Sequence, residues 1–236
     1  FLSSGVVGSP DGTMDRLIAT ARLLRQRHAF RGYIHLKVIP GASDAAIEEA
    51  VSLASAVSLN IETPGGKNLA KLSSRKDYLR DIIGPIKRIS ELTAEGSRYE
   101  KVKQTTQFVV GPAGESDAEI VKYMWGLYDR LRLQRIYFSA YQRELGDPSP
   151  GRRRADGALV SARGRGPDPH HARDAHETQP GDLLTREHRL YQVDFLIRKY
   201  GFRDADIPFD ERGFLSLQTD PKEAWARNHP EYFPLD

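Results

Sequence analysis

The sequence predicts an α/β fold built around a parallel sheet, and two observations carry that prediction. Strand-like segments with period-two alternation are separated by helix-like segments long enough to return the chain to the same end of a sheet, the pattern of βαβ crossovers. The polar residues of successive strands also fall in one register, so that one face of the sheet is apolar and the other polar. A doubly wound sheet has helices on both faces, and its central strands become near-continuous apolar runs. These strands alternate instead, which favours the wall of a barrel with a polar interior.

The elements follow in order. Leu2-Ser3-Ser4-Gly5-Val6-Val7 is apolar at its ends and stops at the loop formers Gly8-Ser9-Pro10-Asp11-Gly12. Met14, Leu17, Ile18, Ala21 and Leu24 then recur at helical spacing, with Thr13 as the expected N-cap. Gly32 to Ile39 alternates and ends at Pro40-Gly41, and Ser43 caps a helix with the stripe Ile47, Ala50, Val51 and Ala54. Val57 to Thr63 alternates and ends at Pro64-Gly65-Gly66. A helical region from Asp77 to Leu92 is expected to kink or restart at Gly84-Pro85, because proline offers no backbone donor. Thr105 to Val110 is the next strand, Ser116-Asp117-Ala118-Glu119 has capping-box form, and Ile120, Tyr123, Met124, Leu127 and Leu131 line one helix face. Ile136 to Ala140 is the last clear strand. Thr185 to Tyr200 reads as an amphipathic helix covering the sheet, and Asp220-Pro221 starts a short one.

Composition narrows the chemistry. The 236 residues are 39% hydrophobic, enough for a sizeable core. There is no cysteine, which excludes a disulfide framework, a thiolate zinc site, a cysteine nucleophile and a Cys-ligated cluster within these residues. No apolar run approaches the roughly 20 residues that span a bilayer, and no signal-peptide pattern opens the chain. A cytoplasmic protein is the expectation. The net charge of +3 equals the local excess between Gly151 and Asp174, where six arginines face three aspartates. Basicity is therefore poor evidence for a phosphate-binding face.

Three divisions are expected: 1–146 as the β/α core, 147–180 as an Arg/Gly/Pro/His-rich low-complexity insert, and 181–236 as a helical extension. His170, His171 and His176 lie in the insert, whose composition does not build a scaffold for a metal, so no metal ligands are assigned. That composition also fits a shifted reading frame, which resequencing tests.

The apolar face is expected to hold Ile34, Leu36, Val38, Val57, Leu59, Ile61, Thr106, Phe108, Val110, Ile136, Phe138 and Ala140. The polar face holds His35, Lys37, Ser58, Asn60, Glu62, Thr105, Gln107, Tyr137, Ser139 and Tyr141. Lys37 and Glu62 stand out, because an interior charge needs either a partner or a charged ligand; a Lys37–Glu62 ion pair and a ligand site both answer that need. Gly111-Pro112-Ala113-Gly114-Glu115-Ser116 lacks the lysine of a phosphate loop, and a capped helix start accounts for it.

These segments carry a resemblance. Phe1-Leu2-Ser3-Ser4-Gly5, His35-Leu36-Lys37-Val38-Ile39-Pro40-Gly41, Ser58-Leu59-Asn60-Ile61-Glu62-Thr63-Pro64 and Thr105-Thr106-Gln107-Phe108-Val109-Val110-Gly111 resemble the DNA modification/repair radical SAM protein family. Gly114-Glu115-Ser116-Asp117, Arg135 to Tyr141, His188-Arg189-Leu190-Tyr191-Gln192 and Asp220-Pro221-Lys222 through Pro234 continue it. It covers nearly all of the chain outside Gly151 to Gln179.

The resemblance implies a partial (β/α)6 barrel in which the segment at Leu2 stands for the second strand. The first strand, a CxxxCxxC loop and the first helix would lie upstream, and a helix-hairpin-helix module downstream, making this chain an internal piece that is inactive alone. The implied chemistry is cleavage of S-adenosylmethionine by a [4Fe–4S] cluster to give a 5′-deoxyadenosyl radical, with DNA or a nucleotide as substrate and a repair or modification system as protein partner. By analogy Ser3, Ser4 and Gly5 contact the methionyl amino group, and Asn60 and Glu62 the ribose or amino-acid portion. Gln107, Val109 and Gly111 stand at the adenine-contacting strand, where glycine permits close approach.

Two other readings stay open. One is an α/β-barrel aldolase or lyase with Lys37 as Schiff-base amine and Glu62 or Tyr141 as proton carrier. The other is a non-catalytic nucleic-acid-binding accessory, which salt-dependent DNA binding would reveal.

Overall fold

A computed structural model describes residues 1–142 and 180–232 of the chain. Among them, four parallel strands form one sheet in chain order: β1 (His35–Lys37), β2 (Ala56–Ser58), β3 (Lys103–Val110) and β4 (Arg135–Ala140). The order never reverses, whereas a doubly wound sheet reverses at its switch point. The helices α1 (Pro10–Arg22), α2 (Asp44–Leu53), α3 (Gly66–Leu72), α4 (Gly84–Leu92) and α5 (Asp117–Leu131) precede or connect the strands, and α6 (Pro180–Phe195) and α7 (Pro221–Asn228) follow them. The expected insert at 147–180 lies, but for its last residue, outside the described residues, as do its histidines.

Caps set most helix starts. Ser43 accepts from the Ala46 amide, Ser116 and Glu119 form a complete capping box, and Asp220 caps α7 ahead of Pro221. The first helix departs from expectation. Its cap is Ser9, which accepts from the Gly12 amide, and Pro10 begins the helix where a missing N–H does no harm. Thr13 is then inside the first turn, and its buried hydroxyl binds the Val7 amide at 2.8 Å. The expected restart at Gly84-Pro85 is present: a π-helical turn over Tyr78–Ile83 gives way to α4, with Pro85 in the first turn.

The expected first strand shrinks to a single residue. Leu2 donates to the His35 carbonyl at 2.8 Å and accepts from the Lys37 amide at 2.9 Å, a parallel bridge opposite Leu36. Residues Ser3 to Val7 continue exposed, without further pairing in the sheet.

The two-faced pattern holds. Leu36, Val57, Phe108, Val110, Ile136 and Phe138 are all buried on the apolar side and join one core with Met14, Ile47, Ile82, Ile89, Ile120 and Met124 from the helices. Phe108 and Phe138, paired across β3 and β4, stack at 6.0 Å between centroids. Burying each such side chain contributes about 1.5–3 kcal/mol.

Helix α6 closes the sheet beyond β4. The outward amides of that strand are each taken by a side chain: Ile136 N–H donates to the Tyr128 hydroxyl at 3.0 Å, Phe138 N–H to the Tyr191 hydroxyl at 3.0 Å, and Ala140 N–H to Glu187 Oε2 at 2.6 Å. Tyr191 O–H returns a bond to the Phe138 carbonyl at 3.0 Å. Two buried carboxylates anchor the same seam. Asp117 pairs with Arg186 at 2.9 Å and accepts from the Leu215 amide at 3.0 Å, while Asp194 holds Arg135 at 3.0 Å, Arg198 at 2.6 Å and the Tyr128 hydroxyl.

Candidate functional site

The polar face of the sheet carries most of the expected site residues. Register places Lys37 beside Ser58, Ser58 beside Thr105 and Thr105 beside Arg135, one residue from each strand at one level. Adjacent strands lie about 4.8 Å apart, so an amine and two hydroxyls form a row across the sheet. Ser58 and Thr105 are each 7% exposed, Lys37 is half-buried, and Tyr137 is 44% exposed on the same face. Among the described residues no ion pair joins Lys37 to Glu62 or to any other carboxylate. The anticipated interior pair is therefore not made.

Two polar atoms on this face are buried without a hydrogen-bond partner: His35 Nε2 and Thr105 Oγ1. The Phe1 ring stands edge-on to His35 at 4.9 Å. Burial pushes the His35 pKa below its ordinary 6.5, and the positive charges of the amino terminus and of Lys37 push it the same way. A buried group without a partner costs roughly 1–3 kcal/mol, so this face is open to any ligand that supplies the missing bonds.

Glu62 sits at the carboxyl end of β2 by an irregular route. From Ser58 opposite Thr105 to Glu62 opposite Phe108, β2 advances four residues while β3 advances three. The extra residue is absorbed by a side chain: Thr106 O–H donates to the Leu59 carbonyl at 2.7 Å, and its oxygen accepts from the Ile61 amide at 2.9 Å. Pairing then resumes, with Glu62 N–H on the Gln107 carbonyl at 3.0 Å and Val109 N–H on the Glu62 carbonyl at 2.7 Å. Glu62 itself has φ of +66°, a left-handed conformation that costs a non-glycine residue about 1–2 kcal/mol. The outcome keeps Leu59, Ile61 and Thr63 buried while Asn60 and Glu62 stay half-buried on the other side.

The structure thus brings Glu62, Gln107 and Val109 together through main-chain bonds, and sets Lys37 beside the Leu2 bridge that leads to Ser3, Ser4 and Gly5. Those three residues are exposed. Tyr141 continues β4 by donating its amide to the Val110 carbonyl at 3.0 Å, which places it at the same end of the sheet. Gly111 has φ of +96°, and the close approach it permits is taken by Leu183 of α6, whose Cδ2 would lie 2.4 Å from an added Cβ.

The loop after β3 is satisfied internally. The buried Glu115 carboxylate accepts from the Gly111 amide and, at 3.1 Å, from the Ala113 amide, and Lys71 Nζ donates to the Ala113 carbonyl at 2.8 Å. Amides already bound to a carboxylate do not cradle a phosphate, in keeping with a capped helix start.

Sequence reasoning placed His35, Ser58 and Thr105 on the polar face without assigning them a role. The register that singled out Lys37 could have found them, since they share its level or its strand. Two surface recesses lie away from this face. One, of about 540 Å³, is lined by Gly41–Asp44 and by Arg80, Asp81, Lys87 and Arg88. The other, of about 640 Å³, lies between α3, the Tyr78 turn and α5. Among the described residues no group of three or more His, Asp or Glu side chains is placed to hold a metal ion, and no helix is long and apolar enough to cross a membrane. No protein-family model, curated protein or solved structure matches the chain.

Proposed function

We propose that this chain is the barrel portion of a radical SAM enzyme, a partial (β/α)6 barrel whose parent modifies or repairs DNA or a nucleotide. The observation that carries the reading is the sheet itself. Leu2 and β1 to β4 are parallel and consecutive, their polar side chains share one face, and α6 occupies the position beyond β4 where a further strand would pair. That arrangement suits a barrel arc whose last strand is β4. The family assignment rests on the sequence resemblance.

The fit to the implied cofactors is uneven. With no cysteine in 236 residues the chain has no ligands for a [4Fe–4S] cluster, and no step is derived through one. S-adenosylmethionine supplies, when cleaved, a carbon-centred radical. The residues that would hold it are Ser3, Ser4 and Gly5 at the Leu2 end, Asn60 and Glu62 after β2, and Gln107 and Val109 on β3, with the unpartnered His35 Nε2 and Thr105 Oγ1 on the same face. Gly111 is committed to Leu183 on one side and offers only its remaining main-chain surface. The role of these residues is to bind, orient and shield from water.

The test is expression of the gene with its flanking coding sequence, anaerobic reconstitution with iron and sulfide, and assay for 5′-deoxyadenosine. Its formation, lost on replacing Glu62 by Gln, supports the reading; a reconstituted protein that yields none refutes it. The absence of a carboxylate partner for Lys37 favours one second reading, a Schiff-base lyase or aldolase with Glu62 or Tyr141 moving the proton. Borohydride trapping of a carbonyl substrate on Lys37 tests that alternative. DNA binding that weakens steeply with salt, in the absence of turnover, would instead identify a nucleic-acid-binding accessory.

A further inference from the structure

The recess between α3 and α5 has features that the polar sheet face does not explain. Its wall is apolar at Leu69, Ala70 and Leu79, and its back is the Tyr78–Tyr123 pair, ring centroids 6.4 Å apart and edge to face. Tyr78 is 8% exposed, and its hydroxyl is buried without a hydrogen bond; the Gly65 amide and the Tyr123 hydroxyl face it without reaching bonding geometry. Burial raises the Tyr78 pKa, so the phenol keeps its proton and is a donor at neutral pH.

The charges at the rim are unequal in commitment. Asp77 caps the following turn, accepting from the Arg80 amide at 2.7 Å, whereas Lys76 is exposed and makes no hydrogen bond or ion pair. Leu79, 71% exposed, extends the apolar wall outward. Gly65, at φ of +83°, keeps the mouth open on the Tyr123 side, since a Cβ there would stand 3.1 Å from the Tyr123 hydroxyl. A volume of about 640 Å³ falls within the usual range for small-molecule pockets, about 300–1,000 Å³.

We infer that this recess is a binding site for a small aromatic carboxylate, its ring against Leu69, Ala70, Leu79 and the Tyr123 edge, and its carboxylate between the Tyr78 hydroxyl and the Lys76 ammonium. An acceptor at Tyr78 relieves the one buried hydroxyl of the recess that has no partner, and a carboxylate bond to a neutral donor is stronger than a neutral one. The ring contact supplies apolar area, and the edge-to-face geometry of the tyrosines leaves the Tyr123 ring edge toward the ligand face.

The experiment uses the full ¹⁵N-labelled chain and indole-3-carboxylate, with indole-3-carboxamide as the uncharged control. Titration is expected to shift the amides of Gly66, Ala70, Ser73 and Tyr123, with binding weakened about ten-fold in Tyr78→Phe, the loss of one hydrogen bond to a charged group. Lys76→Met is expected to weaken the carboxylate and leave the carboxamide unchanged. Tyr78→Phe removes an unpartnered buried hydroxyl, so its melting temperature without ligand is expected to equal or exceed that of the wild type, which separates lost binding from lost folding. Absence of shifts at those amides, or equal affinity in Tyr78→Phe, overturns the site; equal weakening of both ligands by Lys76→Met overturns the carboxylate.

Discussion

Two regions of the molecule bury polar groups in opposite ways. Along the α6 seam the buried polar atoms of Asp117, Arg186, Asp194, Tyr128 and Tyr191 are partnered, by ion pairs of 2.6–3.0 Å and by amides of β4 and Leu215. On the polar sheet face, one strand away, His35 Nε2 and Thr105 Oγ1 are buried and have no partner. The seam spends its polarity on holding elements together. The face keeps its polarity unspent, and a partner from outside the chain is what it lacks.

That contrast is broken most forcefully at Arg186. Its side chain is 7% exposed and is the cation of a carboxylate that is 0% exposed, so Arg186→Ala strands a buried charge. The expected loss is about 3–5 kcal/mol, read as a lowered urea midpoint. Arg186→Met paired with Asp117→Leu should recover much of it, because well-packed apolar replacements remove the charge along with its partner.

Tyr191→Phe tests the seam more gently. The ring and its edge contact with Phe138, 5.1 Å between centroids, survive, while the Phe138 amide loses its acceptor. A loss of about 1–3 kcal/mol in chemical denaturation is expected. A neutral result would mean that water serves the strand as well as the tyrosine does, and the contrast with the sheet face would weaken.

The face is probed by pH. His35 in the fold titrates below 6.5, whereas in the unfolded chain it titrates near that value. As pH falls from about 6.5 the unfolded state takes up the proton first, so stability is full above that pH and declines from there toward the folded pKa. Urea midpoints measured from neutral to mildly acidic pH should show this decline in the wild type and a shallower one in His35→Gln. The smallest effect is expected at Thr105→Val, an isosteric change that deletes a hydroxyl with no partner. Stability should stay within about 1 kcal/mol of wild type, on the favourable side, by differential scanning calorimetry. A clear destabilisation would show that the hydroxyl is served after all.

The sequence reading was strongest where period and caps decide structure. Alternation in β3 and β4 placed Thr106, Phe108, Val110, Ile136 and Phe138 on the core side, and the boxes at Ser43, Ser116 and Asp220 marked helix starts that the structure retains. It was weak where a neighbour overrides local pattern. Helix α3 went unnoticed because it is only seven residues long and begins at Gly65, which offers no capping side chain. The strand expected over Gly32–Ile39 pairs over only three residues, since the Ile34 carbonyl is drawn to the Ser55 and Ala56 amides.

Site legibility divided the same way. Register exposed the polar face, so Lys37, Asn60, Glu62, Gln107 and Tyr141 were visible as a set. The left-handed backbone of Glu62 was not, because it depends on where the Thr106 hydroxyl inserts forty-odd positions later in the chain. Nor was the Tyr78 recess, whose walls come from three separate elements.

The side chains that take up the outer amides of β4 have a consequence for how copies of the protein behave toward one another. An uncovered parallel strand is a template onto which another chain can add, the first step of sheet-to-sheet polymerisation. Tyr128, Tyr191 and Glu187 occupy the three donor positions such a chain would use, so growth from that side requires α6 to peel away first. The α6 seam therefore sets a barrier to aggregation as well as a term in stability, and concentrated samples of Tyr191→Phe are where that barrier should first be seen to fall.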